Sequence, residues 1–328
     1  MKDDQKVELI NHEAEQKVDV MIGGKLFTSY CYSDSLMKQI LYPILTSSGT
    51  PVTRGWPIVA RPGERTDHPH HRGLWLNYGN VNGYDFWGNS YEISQEVRKN
   101  HDGEIKHIKI EKLSPGTGEG TLVTDEGWIT PLGNKIIDEK TEYHFIADGS
   151  TRIIDRITSL TADSAILFKD TKEGMFGIRV ARELELPAKE SITLTDAQGN
   201  ATTVKALPNE GVTGNYRSSE GITGDSVWST RAKWMDLYGN AGNEKISLVI
   251  CDHPKNISYP TYWHARGYGL FAANPFGAKD FTRGKDSLNY SMAAGQNITF
   301  RYRVIISSGA HLTNDEINAY ADDFAKKY

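Results

Sequence analysis

Short runs of hydrophobic and β-branched residues, separated by Gly, Asn, Asp and Pro, recur along most of the chain. Two such runs flank Gly23-Gly24 and two others flank Asp148-Gly149, and both dipeptides favour the tight turns of β-hairpins. Many short strands with turns between them are typical of antiparallel sheets packed as a sandwich or closed as a barrel. The predicted strands lie within Val18–Cys31 (a hairpin), Ile105–Lys112, Lys135–Ala147, Thr151–Ala162, Phe176–Leu186, Ser191–Thr195, Ala201–Leu207, Lys245–Cys251 and Ile298–Ile306.

One helix is indicated near the C-terminal end of the sequence. Thr313 and Glu316 have the spacing of a capping box, in which the side chain of each residue binds the backbone N–H of the other. Hydrophobic residues then recur at helical spacing, at Ile317, Tyr320, Ala321 and Phe324. No repeat or linker-like stretch divides the chain. We therefore expect residues 1–328 to form a single all-β domain, a large antiparallel β-sandwich with a C-terminal helix.

Composition narrows the classes of protein to which the chain can belong. It has 328 residues, of which 24% are charged and 38% hydrophobic, and its net charge is -5, so we expect a soluble globular protein. No basic face indicates nucleic acid, and no apolar run approaches the roughly 18 residues that cross a membrane. The first residues are too polar for a signal-peptide core. A cytoplasmic protein and an exported one that has lost an upstream signal peptide both remain open.

The segment Arg61–Trp87 has the highest density of chemically active side chains. Within nine of its positions stand Glu64, Arg65, Asp67, His68, His70, His71 and Arg72, followed by Trp75 and Trp87. Imidazoles and carboxylates at this density can transfer protons or bind a divalent metal, for which His68, His70 and Asp67 are the candidate ligands. The spacing is not diagnostic of a metal, and some of these histidines could simply bind loop backbone.

Two further loops carry candidate site residues. Trp263, His264 and Arg266 follow a predicted strand, and an aromatic ring beside Arg and His is suited to a sugar or a carboxylate. The alternative is a structural loop whose Trp fills the core. Glu173 precedes Gly174 at a predicted strand end, where a carboxylate could act as a general base or lie in a solvated charged turn.

Two more polar residues need partners if they point inward. Arg179 and Arg182 are three apart on a predicted strand, so they face opposite sides and the inward one requires Glu183 or a ligand anion. Asn274 precedes Pro275 and could line a pocket, although a simple turn is the favoured interpretation. Walker A, GxGxxG, GxSxG and HExxH motifs are missing, which disfavours nucleotide, nicotinamide, serine-hydrolase and metalloprotease chemistry.

Several of these segments together resemble the PmoA-like family. The resemblance runs from about Tyr42 to about Ser307 and rests on ERTDHPHHRGLW, YGNVNGYDFW, DTKEGMFGIRVA and DHPKNISYPTYWHARGYGLFAANPFG. The family label refers to a methane oxygenase, but a methane monooxygenase subunit of that kind is an integral membrane protein, so we do not expect that activity here. Members of the family often occur in bacteria that degrade polysaccharides. The resemblance implies a galactose-mutarotase-like supersandwich, a scaffold on which His commonly acts as acid and a carboxylate as base on a sugar ring.

The leading hypothesis is a carbohydrate-active enzyme of the epimerase, hydrolase or lyase type, with an open cleft over one sheet. His70 and His264 would serve as acid and sugar-oriented donor, and Glu173 as base. The ligand, a small molecule or oligosaccharide, would be bound by His71, Arg72, Trp75, Trp87, Arg179, Trp263, Arg266 and Asn274. No cofactor is required.

Two alternatives remain open. One is a sugar-binding protein without chemistry, which would not need histidines that titrate near pH 7. The other is an enzyme that uses a divalent metal in the histidine cluster. The sequence does not predict the oligomeric state.

Overall fold

The computed structural model describes residues 4–204 and 209–328 of the chain. Nearly all of its regular structure is β, as the sequence predicts. The strands are β1 (Lys6–His12), β2 (Lys17–Ile22), β3 (Lys25–Cys31), β4 (Ile40–Ile44), β5 (Leu74–Tyr78), β6 (Glu104–Ser114), β7 (Gly116–Thr117), β8 (Glu119–Ile129), β9 (Lys135–Asp148), β10 (Thr151–Ala162), β11 (Ile166–Phe168), β12 (Gly174–Arg179), β13 (Ile192–Thr195), β14 (Ala201–Val204), β15 (Asn215–Ser218), β16 (Trp234–Ala241), β17 (Glu244–Asp252), β18 (Tyr262–Ala265), β19 (Leu270–Asn274), β20 (Tyr290–Met292) and β21 (Asn297–Ser308). The α-helices are α1 (Gln95–Arg98), α2 (Ala278–Phe281) and α3 (Asn314–Lys327).

Two large antiparallel sheets form the body of the molecule. The first has nine strands in the order β18-β19-β12-β5-β4-β3-β2-β1-β7, and the second has eight in the order β15-β16-β17-β21-β10-β9-β8-β6. Two small sheets pair β11 with β20 and β13 with β14. The predicted all-β sandwich with large antiparallel sheets is therefore confirmed.

The main hydrophobic core takes buried residues from both large sheets, and its members include Phe176 of β12 and Ile154 of β10. Each sheet also buries side chains on its other face. On the eight-stranded sheet, Ile153 of β10 packs under Ile317 and Phe324 of α3. On the nine-stranded sheet, a smaller cluster contains Trp75, Trp87, Leu270 and Ala272. The core that both sheets share supports our proposal that residues 1–328 form one domain.

The turns and the helix follow the sequence signals closely. Gly23 and Gly24 both have positive φ, the conformation that a two-residue hairpin turn demands and glycine adopts without strain. The Thr313 side chain accepts a hydrogen bond from the Glu316 N–H while the Glu316 carboxylate accepts one from the Thr313 N–H, so the predicted capping box is present at the start of α3.

Two strand predictions need correction or qualification. The strand predicted to end at Leu186 ends at Arg179, and a 3-10 turn over Arg182–Leu184 follows, next to which the buried Arg182 and Glu185 form an ion pair. The strand predicted over Ala201–Leu207 is observed from Ala201 to Val204, and residues 205–208 lie outside the described residues. None of the described helices is both long and apolar enough to span a membrane.

Replacing Thr313 by Ala should lower the free energy of unfolding by about 1 kcal/mol, because the N-terminal turn of α3 loses its side-chain acceptor. Thr313→Ser keeps the hydroxyl and should remain near the wild type. Urea unfolding followed by tryptophan fluorescence measures both variants, and equal destabilisation by Ala and Ser would contradict the capping role.

Candidate functional site

The face of the nine-stranded sheet that points away from the main core carries several of the predicted site residues. Register places His264 of β18 opposite Ala272 of β19, Ala272 opposite Gly177 of β12, and Gly177 opposite Trp75 of β5. These four residues form one row across four neighbouring strands. A Cβ at Gly177 would lie 3.0 Å from Trp75 and 3.2 Å from Trp87, so the glycine allows both indole rings to pack on the sheet.

The loop between β4 and β5 covers this face and is held by a buried arginine. Arg54 is 2% exposed, and its guanidinium donates to the carbonyl oxygens of Arg65, Asp67, His68 and His71 at 2.7–3.2 Å. One side chain thus satisfies four backbone acceptors of an irregular segment, which would otherwise be costly to bury. The backbone of His68 and His71 is therefore held by the Arg54 guanidinium.

Glu64 closes the base of the same loop. Its carboxylate accepts hydrogen bonds from the N–H groups of Gly55 and Trp56 at 2.8 and 2.9 Å, and it also binds the guanidinium of Arg61. These contacts use the carboxylate for structure. They leave no support for Glu64 as a ligand or a proton-transfer group.

Arg179, at the end of β12, is the arginine that points inward, and its partner is Asp67 rather than Glu183. The Arg179 guanidinium is fully buried and donates to the Asp67 carboxylate at 2.6 Å, while Arg54 approaches the same oxygen at 3.2 Å. Burial opposes ionisation of Asp67, but the hydrogen bond from His68 and the charges of the two arginines hold the pKa of its carboxyl well below the usual range. Arg179 is therefore engaged within the protein.

The three histidines of the loop are packed against one another and against Tyr268. The rings of His68 and His71 are parallel with centroids 4.9 Å apart, and His68 is equally parallel to Tyr268 at 5.0 Å. His70 meets His71 edge to face at 4.3 Å. The cluster that the sequence predicts does converge in space, although it is an aromatic stack rather than a ring of ligands.

The electrostatics of this cluster keep the imidazoles of His70 and His71 neutral. Burial, with the nearby charge of Lys38, lowers the pKa of His70 to about 2, and burial lowers the pKa of His71 well below its usual value. Lys38 is itself buried and donates to the His70 carbonyl at 2.8 Å, and burial lowers the pKa of its amine to about 7. A neutral imidazole is a weak proton donor, so the acid role predicted for His70 is disfavoured, whereas a hydrogen-bonding role is not.

His264, Glu173 and Asn274 come together at the start of β12. The Lys172 carbonyl accepts hydrogen bonds from His264 Nδ1 at 2.8 Å and from the Asn274 amide at 3.0 Å, and Glu173 is the next residue. Since a carbonyl only accepts, Nδ1 of His264 must carry the proton. Burial lowers the pKa of His264 to about 4, so its ring is neutral at pH 7 and Nε2 is a hydrogen-bond acceptor. Asn274 uses its amide oxygen for the N–H of Phe276 and is structural.

The three tryptophans predicted as stacking surface lie in the core. Trp75, Trp87 and Trp263 are at most 1% exposed, and the Trp263 indole N–H donates to the Ala232 carbonyl. A ring that water cannot reach offers no face to a sugar. We therefore place these residues in the packing beneath the site. Among the described residues, the indole N–H groups of Trp75 and Trp87 have no acceptor.

The two remaining arginines of the prediction differ in their partners. Arg72 donates to the Pro69 carbonyl at 2.9 Å and pairs with Glu92, so it is engaged. Arg266 lies over the rings of Trp228 and Tyr268, 5.5 and 5.9 Å from their centroids, and within the described residues its guanidinium has no hydrogen bond or ion pair. Arg266 is the arginine of this site that is available to a ligand.

Tyr268 connects the two groups of residues and was missed by sequence reasoning. Its ring contacts His68 and lies 4.9 Å from the Arg179 guanidinium. Burial raises the pKa of its hydroxyl to about 12, and the charges of Arg179, Arg266, Glu173 and Asp67 are all near enough to act on it. Its position between two glycines in the HARGYG segment was the available signal, because such a ring is displayed on a turn. Arg54 and Lys38 gave no comparable signal.

An open groove of about 650 Å³ lies beside Tyr268. It is lined by Arg65, Leu186, Pro187, Ala188, Lys189, Glu190, Ser191, Ile192, Asp225, Trp228, Arg266, Gly267 and Tyr268. Its size is in the range of small-molecule sites. A larger groove, of about 820 Å³, runs along α3 on the other sheet, but no predicted site residue lines it. We place the candidate site at the groove beside Tyr268, called the Tyr268 groove below, because Arg266 and Tyr268 line it.

The alternative of a metal at Asp67, His68 and His70 has little geometric support, because the Asp67 carboxylate is bound by two arginines. Among the described residues, three potential ligand atoms within 4.8 Å of one another belong instead to Asp85, His101 and Asp102, outside the histidine loop. No metal or other cofactor is indicated by these contacts alone.

The amino-acid sequence matches the model of one protein family. The model of a family of unknown function (DUF6807) matches residues 17–322, which is most of the chain. The chain belongs to this family. DUF6807 is a family of unknown function, and the similarity to the PmoA-like family rests on sequence motifs alone. No curated protein matches the chain.

Solved structures similar to this DUF6807 member include carbohydrate-active enzymes. The galactosidase domain of an alpha-galactosidase-sucrose kinase has 8% identity and a TM-score of 0.45, over 92% of this chain and 42% of that one. The GH36 alpha-galactosidase AgaA of Geobacillus stearothermophilus, in complex with stachyose, has 9% identity and a TM-score of 0.40, over 93% and 40%. A galactose mutarotase related enzyme from Lactobacillus acidophilus has 9% identity and a TM-score of 0.30, over 93% and 97%.

The chain spans less than half the length of the two galactosidase structures. Because every one of these TM-scores is below 0.5, the similarities carry no activity, substrate or partner to this chain.

Arg54→Lys should lower the free energy of unfolding by about 3 kcal/mol, because a lysine cannot satisfy the four carbonyls and leaves buried acceptors unpaired. Arg231 is a matched control: it is exposed and donates to the carbonyls of Pro260 and Ser258. Arg231→Lys should cost less than about 0.5 kcal/mol. Equal losses in urea unfolding would contradict the anchoring role of Arg54.

His264→Asn should change the pH dependence of stability in a defined direction. The pKa of His264 is lower in the folded chain than in the unfolded one, so stability is complete above about pH 6.5 and is lost as the pH falls toward about 4. Relative to the Asn variant, the wild type should lose about 3 kcal/mol between pH 7 and pH 4. Measuring the difference between the two proteins cancels the other titrating groups, and a difference that does not change with pH would contradict a buried neutral His264.

Proposed function

We propose that this chain binds a carbohydrate in the Tyr268 groove and acts on it by proton transfer through His264 and Glu173. The observation that carries the proposal is the hydrogen bond of His264 Nδ1 to the Lys172 carbonyl, which fixes the ring beside Glu173 and makes Nε2 an acceptor. Neither group lines the groove itself, but the charge of Glu173 acts on Tyr268 and that of Arg266 acts on His264, so both lie near the Tyr268 end of the groove. Two basic groups in this position are suited to removing a proton from a sugar hydroxyl or a carbon beside it.

Glu173, His264 and Tyr268 have different roles in the proposed site. Glu173 is one-third exposed and pairs with the exposed Lys172, so a ligand can displace that contact and use the carboxylate as a base. His264 Nε2 accepts the hydrogen of a second hydroxyl and orients the ring. The Tyr268 hydroxyl, protonated because burial raises its pKa to about 12, donates to an oxygen of the ligand.

The reaction class stays open between epimerisation, hydrolysis and elimination. Each of them needs a base near a sugar carbon or hydroxyl and a donor on an oxygen. His70, which is neutral, has the role of a hydrogen-bonding neighbour in this proposal, and His71 and Arg179 hold the loop on which it lies.

A second candidate, a sugar-binding protein without chemistry, is favoured by one observation. The pKa values of His70, His71 and His264 are all lowered by burial, so none of these histidines titrates near pH 7. Catalytic histidines usually do titrate there. In the catalytic proposal, therefore, the proton-transfer group that matters is Glu173, with His264 as an orienting acceptor.

His264→Asn tests the proposal, because the Asn amide can replace the Nδ1 hydrogen bond but not the Nε2 acceptor. Polarimetry and NMR with galactose, glucose and their uronic acids, together with p-nitrophenyl glycosides, would measure interconversion and cleavage. The wild type should turn over at least one of these sugars, and His264→Asn should reduce kcat/KM by about 100-fold or more at an unchanged melting temperature.

His311→Asn is the matched control. His311 also binds a backbone carbonyl, that of Gly239 at 2.9 Å, but it lines the groove along α3. This variant should keep full turnover. Sugar binding without turnover by the wild type would exclude the enzyme and support the binding protein, and equal turnover by both variants would remove His264 from the site.

A further inference from the structure

Arg266 differs from the other arginines near the candidate site. Arg54 and Arg179 share Asp67, Arg65 pairs with Glu185, and Arg72 pairs with Glu92. The Arg266 guanidinium has no such carboxylate partner anywhere in residues 4–204 and 209–328. Among these arginines, Arg266 is the one whose charge has no carboxylate partner in the described part of the chain.

Two aromatic rings hold this guanidinium in position. Its central carbon lies 5.5 Å from the centroid of Trp228 and 5.9 Å from that of Tyr268, distances at which a cation is attracted to a ring. Within the described residues the N–H donors of the guanidinium have no hydrogen-bond acceptor, so they are available to bind two oxygens of one carboxylate.

Asp225 is an acidic residue of the groove lining, but its carboxylate binds the backbone and not Arg266. Asp225 accepts a hydrogen bond from the Gly267 N–H at 3.0 Å, and a Cβ at Gly267 would lie 2.8 Å from the same oxygen. The absence of a side chain at Gly267 thus allows the carboxylate to bind the backbone closely. Asp225 is fixed on the turn, and no ion pair joins it to Arg266.

Arg266 also faces the space in which a ligand would lie. It lines the Tyr268 groove together with both of its aromatic partners. Its charge acts on the ring of His264, so the two residues are near neighbours. A ligand bound at Arg266 would therefore extend toward the proposed proton-transfer groups.

From these contacts we infer that the Tyr268 groove is a subsite for an acidic sugar, in which Arg266 binds the carboxylate of a uronic acid. The Trp228 and Tyr268 rings contact the apolar face of the same sugar. This inference rests on the proposed function, since it names the class of carbohydrate that the proposed site takes. Bidentate binding by a preorganised Arg distinguishes a carboxylate from the hydroxymethyl group of the neutral sugar.

The test compares sugars that differ only in this group. Galacturonate against galactose, and glucuronate against glucose, would be titrated into the full chain and followed by NMR chemical shifts at low salt. The wild type should bind one uronate at least about tenfold more tightly than its neutral counterpart, a difference typical of one charge-assisted contact. Raising the salt concentration should reduce that ratio.

Arg266→Gln should reduce the ratio of uronate to neutral affinity to near one, and Arg266→Lys should restore only part of it, because an ammonium cannot form the bidentate contact. Arg231→Gln is the control, since Arg231 also lies over a ring, that of Tyr262 at 5.1 Å, and is exposed. It should leave the ratio unchanged.

The outcomes separate the two claims. Equal affinity of the wild type for uronate and neutral sugar, or an Arg266→Gln variant that keeps the preference, would overturn the acidic subsite while leaving carbohydrate binding intact. A wild type that binds none of the four sugars would overturn both the subsite and the proposed function. The preference for a uronate, lost in Arg266→Gln and kept in Arg231→Gln, is the result that supports the inference.

Discussion

Two buried guanidinium groups sharing one carboxylate hold the histidine loop on the sheet. Arg54 and Arg179 both approach Asp67, and Arg54 also satisfies four carbonyls of the loop. Placing two cations in a protein interior is costly unless their hydrogen bonds are satisfied, and here backbone acceptors and the Asp67 carboxylate satisfy the terminal nitrogens, while the two buried Nε atoms have no partner among the described residues. The segment from Arg65 to His71 pairs with β13 only at its start, so the conformation of its remainder depends on this arrangement.

Burial and the nearby positive charges together decide what the histidines can do. Burial is the largest cause that lowers the pKa of His70 to about 2, and the charges of Lys38, Arg54 and Arg179 lower it further. Burial also keeps the His264 ring neutral, and a backbone carbonyl sets its tautomer. The site therefore offers neutral acceptors and donors around one free guanidinium, that of Arg266. In the proposed function these groups bind the oxygens of a sugar.

The fold was predictable where the signal was local. Gly23-Gly24, Asp148-Gly149 and the Thr313–Glu316 capping box each specify a turn or a helix start through their own backbone and side chains, and each is present. The end of β12 was not predictable in this way. Glu185, in the turn that follows it, pairs with the nearby Arg182 and also with Arg65 of the histidine loop, a contact that only the tertiary fold provides.

The candidate site was predictable only in part, because its residues are brought together by sheet register. His264 and Glu173 are far apart in sequence, and their proximity arises because β12 and β18 both flank β19. The tryptophans were assigned to the ligand surface because a sequence does not distinguish an indole that faces a groove from one that packs on Gly177. Tyr268 was overlooked because a single Tyr on a turn has many ordinary explanations. Only its contacts with His68 and Arg179 single it out.

A crystal structure of the full chain grown with galacturonate is the most direct test of the central claim, that a sugar binds between His264 and the Tyr268 groove. We predict the sugar ring against Tyr268, its carboxylate on Arg266 and one hydroxyl within hydrogen-bond distance of His264 Nε2. A sugar bound instead in the groove along α3, or density for no sugar beside Tyr268, would contradict the account.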